Sequence, residues 1–361
     1  MSRLLADIDK EPQQLLRCLA HAGREGKAAL LQAAELLRTS AHIYLVGIGS
    51  SWHAGMAAQA FFHRHGHPSH LAEASELLYF AKIPPDSSVI LLSRSGKSIE
   101  IVRLIDKCRS ARSKIVGITN TVESPLGAHA DVVLQLAADF DHLVSISMYS
   151  TLAMTAAILA CETMAIWSES LRVGLVDAIE EARLRLPQWK TLIDSSRWLE
   201  PGMATYFLAR GASLASAYEA RLLWEEAGKA PASVLPTGGF RHGPQEVLRP
   251  GLRVGLWIDS ETMREADLTL SRDLRKQGAK VLVIGKNLEP DDGDLVIAVP
   301  SIPAGWQFLI DILPVQLAAE RFAQLRGEDC DSFRLCSYIV ETEGGLKTVA
   351  SQRCNGLDHN L

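Results

Sequence analysis

Two short turns carry most of the residues able to do chemistry. "GIGSS" (Gly47 to Ser51) and "SRSGKS" (Ser93 to Ser98) each follow an apolar, strand-like run and open a helix-like pattern. Main-chain N–H groups at a helix start, with the helix dipole behind them, favour an anion, and serine hydroxyls add donors. The first turn offers Gly49, Ser50 and Ser51; the second offers Ser93, Arg94, Ser95 and Ser98. Either turn alone is an ordinary βα connection with a serine cap, which is common. Together in one βαβ setting they favour a phosphate cradle. A dinucleotide fingerprint is a poorer account, because Gly47-x-Gly49-x-x-Trp52 lacks the third glycine that permits close helix packing.

Hydroxyls and amides bind, so proton transfer must come from elsewhere. The pattern "SAYEARLLWEEAGK" predicts a helix ending near Gly228, with Glu226 in its last turn and Glu219 seven residues earlier on the same face. A carboxylate beside the negative end of a helix dipole has its ionised form disfavoured, which suits a general base. Glu225 points about 100° away and reads as a solvated acid. In "PTGGFRHGPQE", Gly238, Gly239 and Gly243 predict a loop that carries His242. Histidine titrates near neutrality and suits proton exchange with a ring oxygen, although a plain surface histidine fits the pattern equally well.

The elements that must position these groups occur twice. With a constant offset of 162 positions, "IYLVGIGSSWHAGMAAQAFFHRHG" (Ile43 to Gly66) runs beside "TYFLARGASLASAYEARLLWEEAG" (Thr205 to Gly228) without a gap. Tyr44 meets Tyr206, Gly49 meets Gly211, Ser51 meets Ser213 and Gly66 meets Gly228. The next strand and helix recur as well, and strands alternating with helices predict right-handed βαβ units and parallel sheets. The expected fold is α/β, with two tandem three-layer α/β/α units of flavodoxin-like type related by internal duplication. The expected divisions are a helical segment over 1–30, a first unit over 31–168, a connecting helix over 169–198, a second unit over 199–340 and a tail over 341–361. After its second strand the second unit has Asp259, Ser260, Glu261 and Thr262, whose acids would repel a phosphate. One anion site per chain is therefore expected, in the first unit.

Composition bounds the rest. The 361 residues are 47% apolar and 22% charged with a formal charge of −5, which leaves no basic excess for nucleic acid. The start "MSRLLADIDKEPQQLL" lacks the continuous apolar stretch of a secretory signal. Val144 to Cys161 is uncharged but short and rich in hydroxyls, so it reads as a core or interface helix and not as a membrane span. Its apolar surface exceeds the need of one helix contact, which predicts at least a dimer. The cysteines Cys18, Cys108, Cys161, Cys330, Cys336 and Cys354 form no C-x-x-C pair and read as reduced cytosolic thiols. No metal, cofactor, nucleic acid or membrane partner is expected.

The doubled unit, "GIGSSWHAG", the "EASE" at Glu73 to Glu76, "SRSGKS" and the "EE…RHGP" arrangement together resemble the sugar isomerase (SIS) domain family. Within it they resemble the isomerase half of glutamine–fructose-6-phosphate transaminases (glucosamine-6-phosphate synthases) and the fructosamine-6-phosphate deglycases. The resemblance spans about Ile43 to Val340 and implies a cytoplasmic enzyme binding a small sugar phosphate. It places the phosphate at Ser51, Ser93, Ser95 and Ser98, with Arg94 beside them. It makes Glu226 the base at carbons 1 and 2 and His242 the ring opener, reached across a homodimer interface. The chain departs from the synthases at Met1-Ser2, where they begin with a cysteine nucleophile, so glutamine amidotransferase activity is not expected. Tyr338 stands where the synthases carry their Schiff-base lysine, and Leu223 replaces a second lysine. A substrate already bearing an amine supplies its own imine nitrogen, so these losses point to a deglycase or deaminase. A simple aldose–ketose isomerase or a sugar-phosphate sensor remains open.

Overall fold

The computed structural model describes residues 1–200 and 204–345. Helices α1 (Arg3–Gly23) and α2 (Lys27–Arg38) lead into β1 (His42–Gly47) and α3 (Ser50–Arg64). They are followed by β2 (His70–Glu73), α4 (Ala74–Phe80), β3 (Ser87–Leu92) and α5 (Ile99–Ser110). Next come β4 (Lys114–Thr119), α6 (Pro125–His129), β5 (Val132–Gln135), α7 (Ser147–Thr163) and the long α8 (Glu169–Ser195). The remainder runs β6 (Thr205–Ala209), α9 (Ser213–Glu226), β7 (Ala232–Pro236), α10 (Thr237–Phe240) and β8 (Arg253–Trp257), then α11 (Arg264–Lys276), β9 (Lys280–Gly285), β10 (Leu295–Ala298) and α12 (Leu313–Arg326).

These strands form two five-stranded sheets, ordered β2-β1-β3-β4-β5 and β10-β9-β8-β6-β7. Every pairing is parallel; Leu45 lies opposite Ile90 and Leu208 opposite Leu256. Read from its other edge, the second sheet repeats the order of the first. The chain switches direction beside β1, between β2 and β3, and the crevice at the carboxyl ends there is where open α/β sheets collect ligands.

A strand buried on both faces must be apolar throughout, and β3 ("SSVILL") is buried at every position. Alternation divides its neighbours between two cores. Leu45, Ile90 and Leu92 join the large central core with α3 and α7. Val46, Val89 and Leu91 pack instead with Leu77 of α4 and with Ile101, Leu104 and Ile105 of α5.

The uncharged stretch before Cys161 takes the core role, one of the two expected of it. In α7 every residue from Ser147 to Cys161 is buried within the chain, packed against α1, α2 and α3. Asp141 caps its start, accepting main-chain N–H bonds from Ile146, Ser147 and Met148 at 2.8, 3.0 and 2.9 Å. Two of its hydroxyls are satisfied internally: Ser150 donates to Glu11, and Thr151 to the carbonyl of Ser147 at 2.6 Å. This stretch has no surplus apolar surface, so it supplies no ground for a dimer. Among the described residues no helix is long and apolar enough to cross a membrane.

Candidate functional site

The turns after β1 and β3, the end of α9 and the segment after α12 enclose a cavity of about 240 Å³. Its wall includes Gly49, Ser50 and Ser51 from the first turn and Ser93, Arg94, Ser95 and Ser98 from the second. Glu226 enters from α9, and Tyr338 closes the opposite side. Of the site residues read from the sequence, His242 alone lies outside this wall.

The turn geometry depends on glycine at two positions. Gly49 has φ +56° and begins α3, while Gly96 has φ +63° at the tip of the second turn. A Cβ on Gly96 would lie 2.0 Å from the Ser124 hydroxyl. With the tip held so tightly, Ser93 Oγ accepts the Gly96 N–H at 3.1 Å and Ser95 Oγ accepts the Lys97 N–H at 3.3 Å. Each of these hydroxyls keeps its own proton to donate. Ser98 begins α5 without a side-chain capping bond. The Ser50 hydroxyl is already committed: it donates to Glu219 Oε1 at 2.8 Å. Lys97 is exposed.

Glu226 is the last residue of α9, and its carboxyl is pushed up to about 7. Burial is the main cause, followed by repulsion from Glu219; Arg94 and Lys229 act in the opposite direction. The shift expected from the helix end thus has a larger source in desolvation. Glu219 does not enter the cavity wall. It is buried between α9 and α3, where its second oxygen meets His53 Nδ1 at 2.7 Å. Glu225 pairs with Arg221 at 2.7 Å on the outer side of the helix.

The loop expected at Gly238 and Gly239 is instead the short helix α10, closed by the N–H groups of Arg241 and His242, which donate to the Gly238 and Gly239 carbonyls at 3.2 and 3.1 Å. His242 follows it, exposed. Tyr338 lines the cavity and is held there by two contacts. Its hydroxyl donates to the Asp141 carbonyl at 3.1 Å, and its ring lies 4.3 Å from the Arg94 guanidinium. Leu223 is buried in the core and not in the cavity wall.

Other lining residues escape sequence reasoning. Leu143 and Ser145 arrive from the loop that Asp141 folds onto α7, and Phe333, Ile339 and Val340 from the closing segment. No local pattern marks them. Leu222 does carry a signal, since it stands one helical turn before Glu226 on the same face.

The matching place in the second sheet is closed by the chain itself. Ser213, the counterpart of Ser51, donates to Asp311 Oδ2 at 2.6 Å, and Ser216 donates to Oδ1 at 2.5 Å. Asp259 accepts the N–H groups of Thr262 and Met263 at 2.8 and 2.7 Å. A protein carboxylate thus stands where the first half offers hydroxyls. Cys18, Cys108, Cys161 and Cys330 are buried free thiols; Cys354 and most of the expected tail lie outside the described residues. Among the described residues no three His, Cys, Asp or Glu side chains gather with metal-ligand spacing.

The SIS domain family model matches residues 36–165, the part of the chain that supplies both serine turns. The chain carries a SIS domain. Over 363 aligned residues it is 26% identical to the glutamine–fructose-6-phosphate aminotransferase (isomerizing) of Aeropyrum pernix. That alignment covers 94% of this chain and 57% of the relative, so the chain spans little more than half of the relative's length. A glucosamine-6-phosphate deaminase from Thermotoga maritima superposes with TM-score 0.78 at 19% identity, covering 94% of this chain and 99% of that one. A tagatose-6-phosphate ketose/aldose isomerase from Escherichia coli also gives 0.78, at 21% identity, covering 91% and 94%. At these identities the two structures establish a shared fold.

Proposed function

We propose that this SIS-domain protein cleaves the carbon–nitrogen link of a 6-phosphorylated amino sugar or fructosamine, yielding a hexose phosphate and an amine or ammonia. The observation that carries this reading is one cavity holding two serine turns, a carboxyl pushed up to about 7 and Tyr338, which the family resemblance sets at a lysine position. The turns receive the 6-phosphate. Glu226 takes a proton from the carbon beside the carbonyl, carbon 1 of a fructosamine or carbon 2 of a 2-amino aldose, and returns it to the neighbouring carbon. The product is an imine on the substrate's own nitrogen, which water hydrolyses to the carbonyl and the free amine. No lysine enters the scheme, in keeping with Tyr338 and Leu223 at the two family lysine positions.

The wider architecture is part of the same proposal. The shared strand order of the two sheets and the gap-free repeat support an internal duplication, with units over 31–168 and 199–340 joined by a connecting helix over 169–198. His242 opens the sugar ring from a second copy of the chain, a reading supported by its exposure and its place outside the cavity wall.

An aldose–ketose isomerase is the second reading, favoured by the isomerase named among the superposed structures. The deciding experiment incubates the protein with 6-phosphorylated Amadori compounds and amino sugars and follows hexose phosphate and amine by mass spectrometry. Release of both supports cleavage. Deuterium entry at carbon 2 without amine release transfers the assignment to the isomerase. A sensor would bind with equal affinity before and after Glu226→Gln and turn over nothing.

A further inference from the structure

We propose that Arg94 receives a carboxylate carried on the amine portion of the substrate, so that the site is built for a sugar 6-phosphate joined to an amino acid. This rests on the cleavage reading above and names its substrate class.

Arg94 sits between two serines of the phosphate turn, and its guanidinium is held by Tyr338 from the segment after α12. One terminal nitrogen donates to the Tyr338 carbonyl at 3.0 Å, and the ring of the same tyrosine covers the guanidinium face at 4.3 Å. The other terminal nitrogen is buried and has no hydrogen-bond partner. No carboxylate of the described chain pairs with this cation, whereas the exposed Arg17, Arg64 and Arg197 all find one. An arginine held by an aromatic face and a carbonyl keeps its charge without an anion to balance it, and its planar fork matches a carboxylate.

The partners of the fork separate this role from phosphate binding: Tyr338 holds it and neither serine hydroxyl does. The Ser93 and Ser95 hydroxyls keep their protons for the phosphate. Arg94 is instead close enough to Glu226 to oppose the rise in its proton affinity. Carbons 1 and 2 must lie against Glu226, and the substituent nitrogen lies beside them, at the opposite end of a hexose from the 6-phosphate. A carboxylate one or two bonds beyond that nitrogen falls on the Arg94 side of the cavity.

The test uses the full chain with Glu226→Gln to prevent turnover, and calorimetry with three ligands. These are fructose 6-phosphate, the 6-phosphofructosyl adduct of glycine and the adduct of glycinamide, in which an amide replaces the carboxylate. The glycine adduct should bind about tenfold or more tighter than the glycinamide adduct, the size of one charge-assisted hydrogen bond. Arg94→Gln should remove that preference and leave fructose 6-phosphate binding within twofold. Equal affinity for the two adducts overturns the proposal even if Arg94→Gln does not fold, because that comparison needs no arginine variant. Equal loss on all three ligands in Arg94→Gln also overturns it and makes Arg94 a phosphate ligand. Failure of fructose 6-phosphate to bind at all removes the phosphosugar reading itself, and this inference with it.

Discussion

Ser50, on the first serine turn, donates its hydroxyl to Glu219 of α9 at 2.8 Å, joining that side of the cavity to the helix that ends in Glu226. The same carboxylate meets His53 Nδ1 at 2.7 Å, and both His53 and Glu219 are almost wholly buried. Glu219→Ala leaves the buried His53 without its partner, at about 1–3 kcal/mol, and frees the half-buried Ser50 hydroxyl at less cost. Urea unfolding should show a loss of that order, and the variant should bind phosphosugar more weakly because Ser50 and α9 are no longer tied together. Glu219→Gln keeps one acceptor and should lose less. An unchanged urea midpoint in Glu219→Ala would show that the contact does not hold the two halves together.

The carboxyl of Glu226 sets a pH window. It titrates near 7 in the folded chain against an ordinary value of 4.5, so between these limits the native state holds a proton that the unfolded chain has released. Stability from this group therefore falls as pH rises through that interval, and the cost is full above it. Glu226→Gln should melt higher than the parent chain at about pH 8 and match it near pH 4. Activity runs the opposite way, since the base must be ionised: kcat/KM should climb through about pH 7 on its acid side. A profile flat across that region would remove Glu226 as the base.

The second turn can be tested at its tip and at its hydroxyl. Alanine at Gly96 must adopt a left-handed backbone, which costs about 1–2 kcal/mol. Its Cβ would also meet Ser124 Oγ, which caps α6 by accepting the Gly127 N–H at 3.2 Å. Gly96→Ala should lower the melting temperature and weaken phosphosugar binding together. Ser95→Ala should leave the fold intact and cost about 1–3 kcal/mol in affinity for every phosphorylated ligand. Unaltered affinity in Ser95→Ala would place the phosphate elsewhere.

How much of this was legible in the sequence depended on whether the relevant contact is local. The serine turns lie between a strand and a helix that adjoin them in the chain, and the 162-residue repeat shows the same unit twice, so both turns and the end of α9 are found without a structure. Arg94 and Tyr338 are 244 positions apart. No periodicity reports such a pair, and Tyr338 enters the sequence reading through family resemblance alone. The fate of α7 is hidden for another reason. An uncharged helix reads the same whether its surroundings come from its own chain or from a second copy, and here α1, α2 and α3 provide them. The proton affinity of Glu226 was placed in the right direction from the helix end, but its main source is burial, which depends on tertiary packing and cannot be read locally.

Lys229 lies just beyond α9 with φ +50°, and its ammonium donates to two carbonyls, that of Glu226 and that of Ser332 at 2.8 Å. It also stands 5.7 Å from the Phe333 ring, which lines the cavity. It ties the main chain of Glu226 to the segment that closes the cavity, and is expected to act as a positioning residue. Lys229→Met keeps the hydrocarbon stem near Phe333 and removes both bonds. Proteolysis near Ser332 should accelerate, and kcat/KM should fall by about tenfold, the scale of one lost charge-assisted bond. Burial holds the proton affinity of this amine below the usual lysine range, so it also has to be tested as an imine-forming group. Fructose 6-phosphate with borohydride decides between the roles. A tether leaves Lys229 unmodified, whereas a hexose phosphate adduct on it, formed with loss of water and fixed by hydride, would make it the nucleophile and overturn the lysine-free scheme.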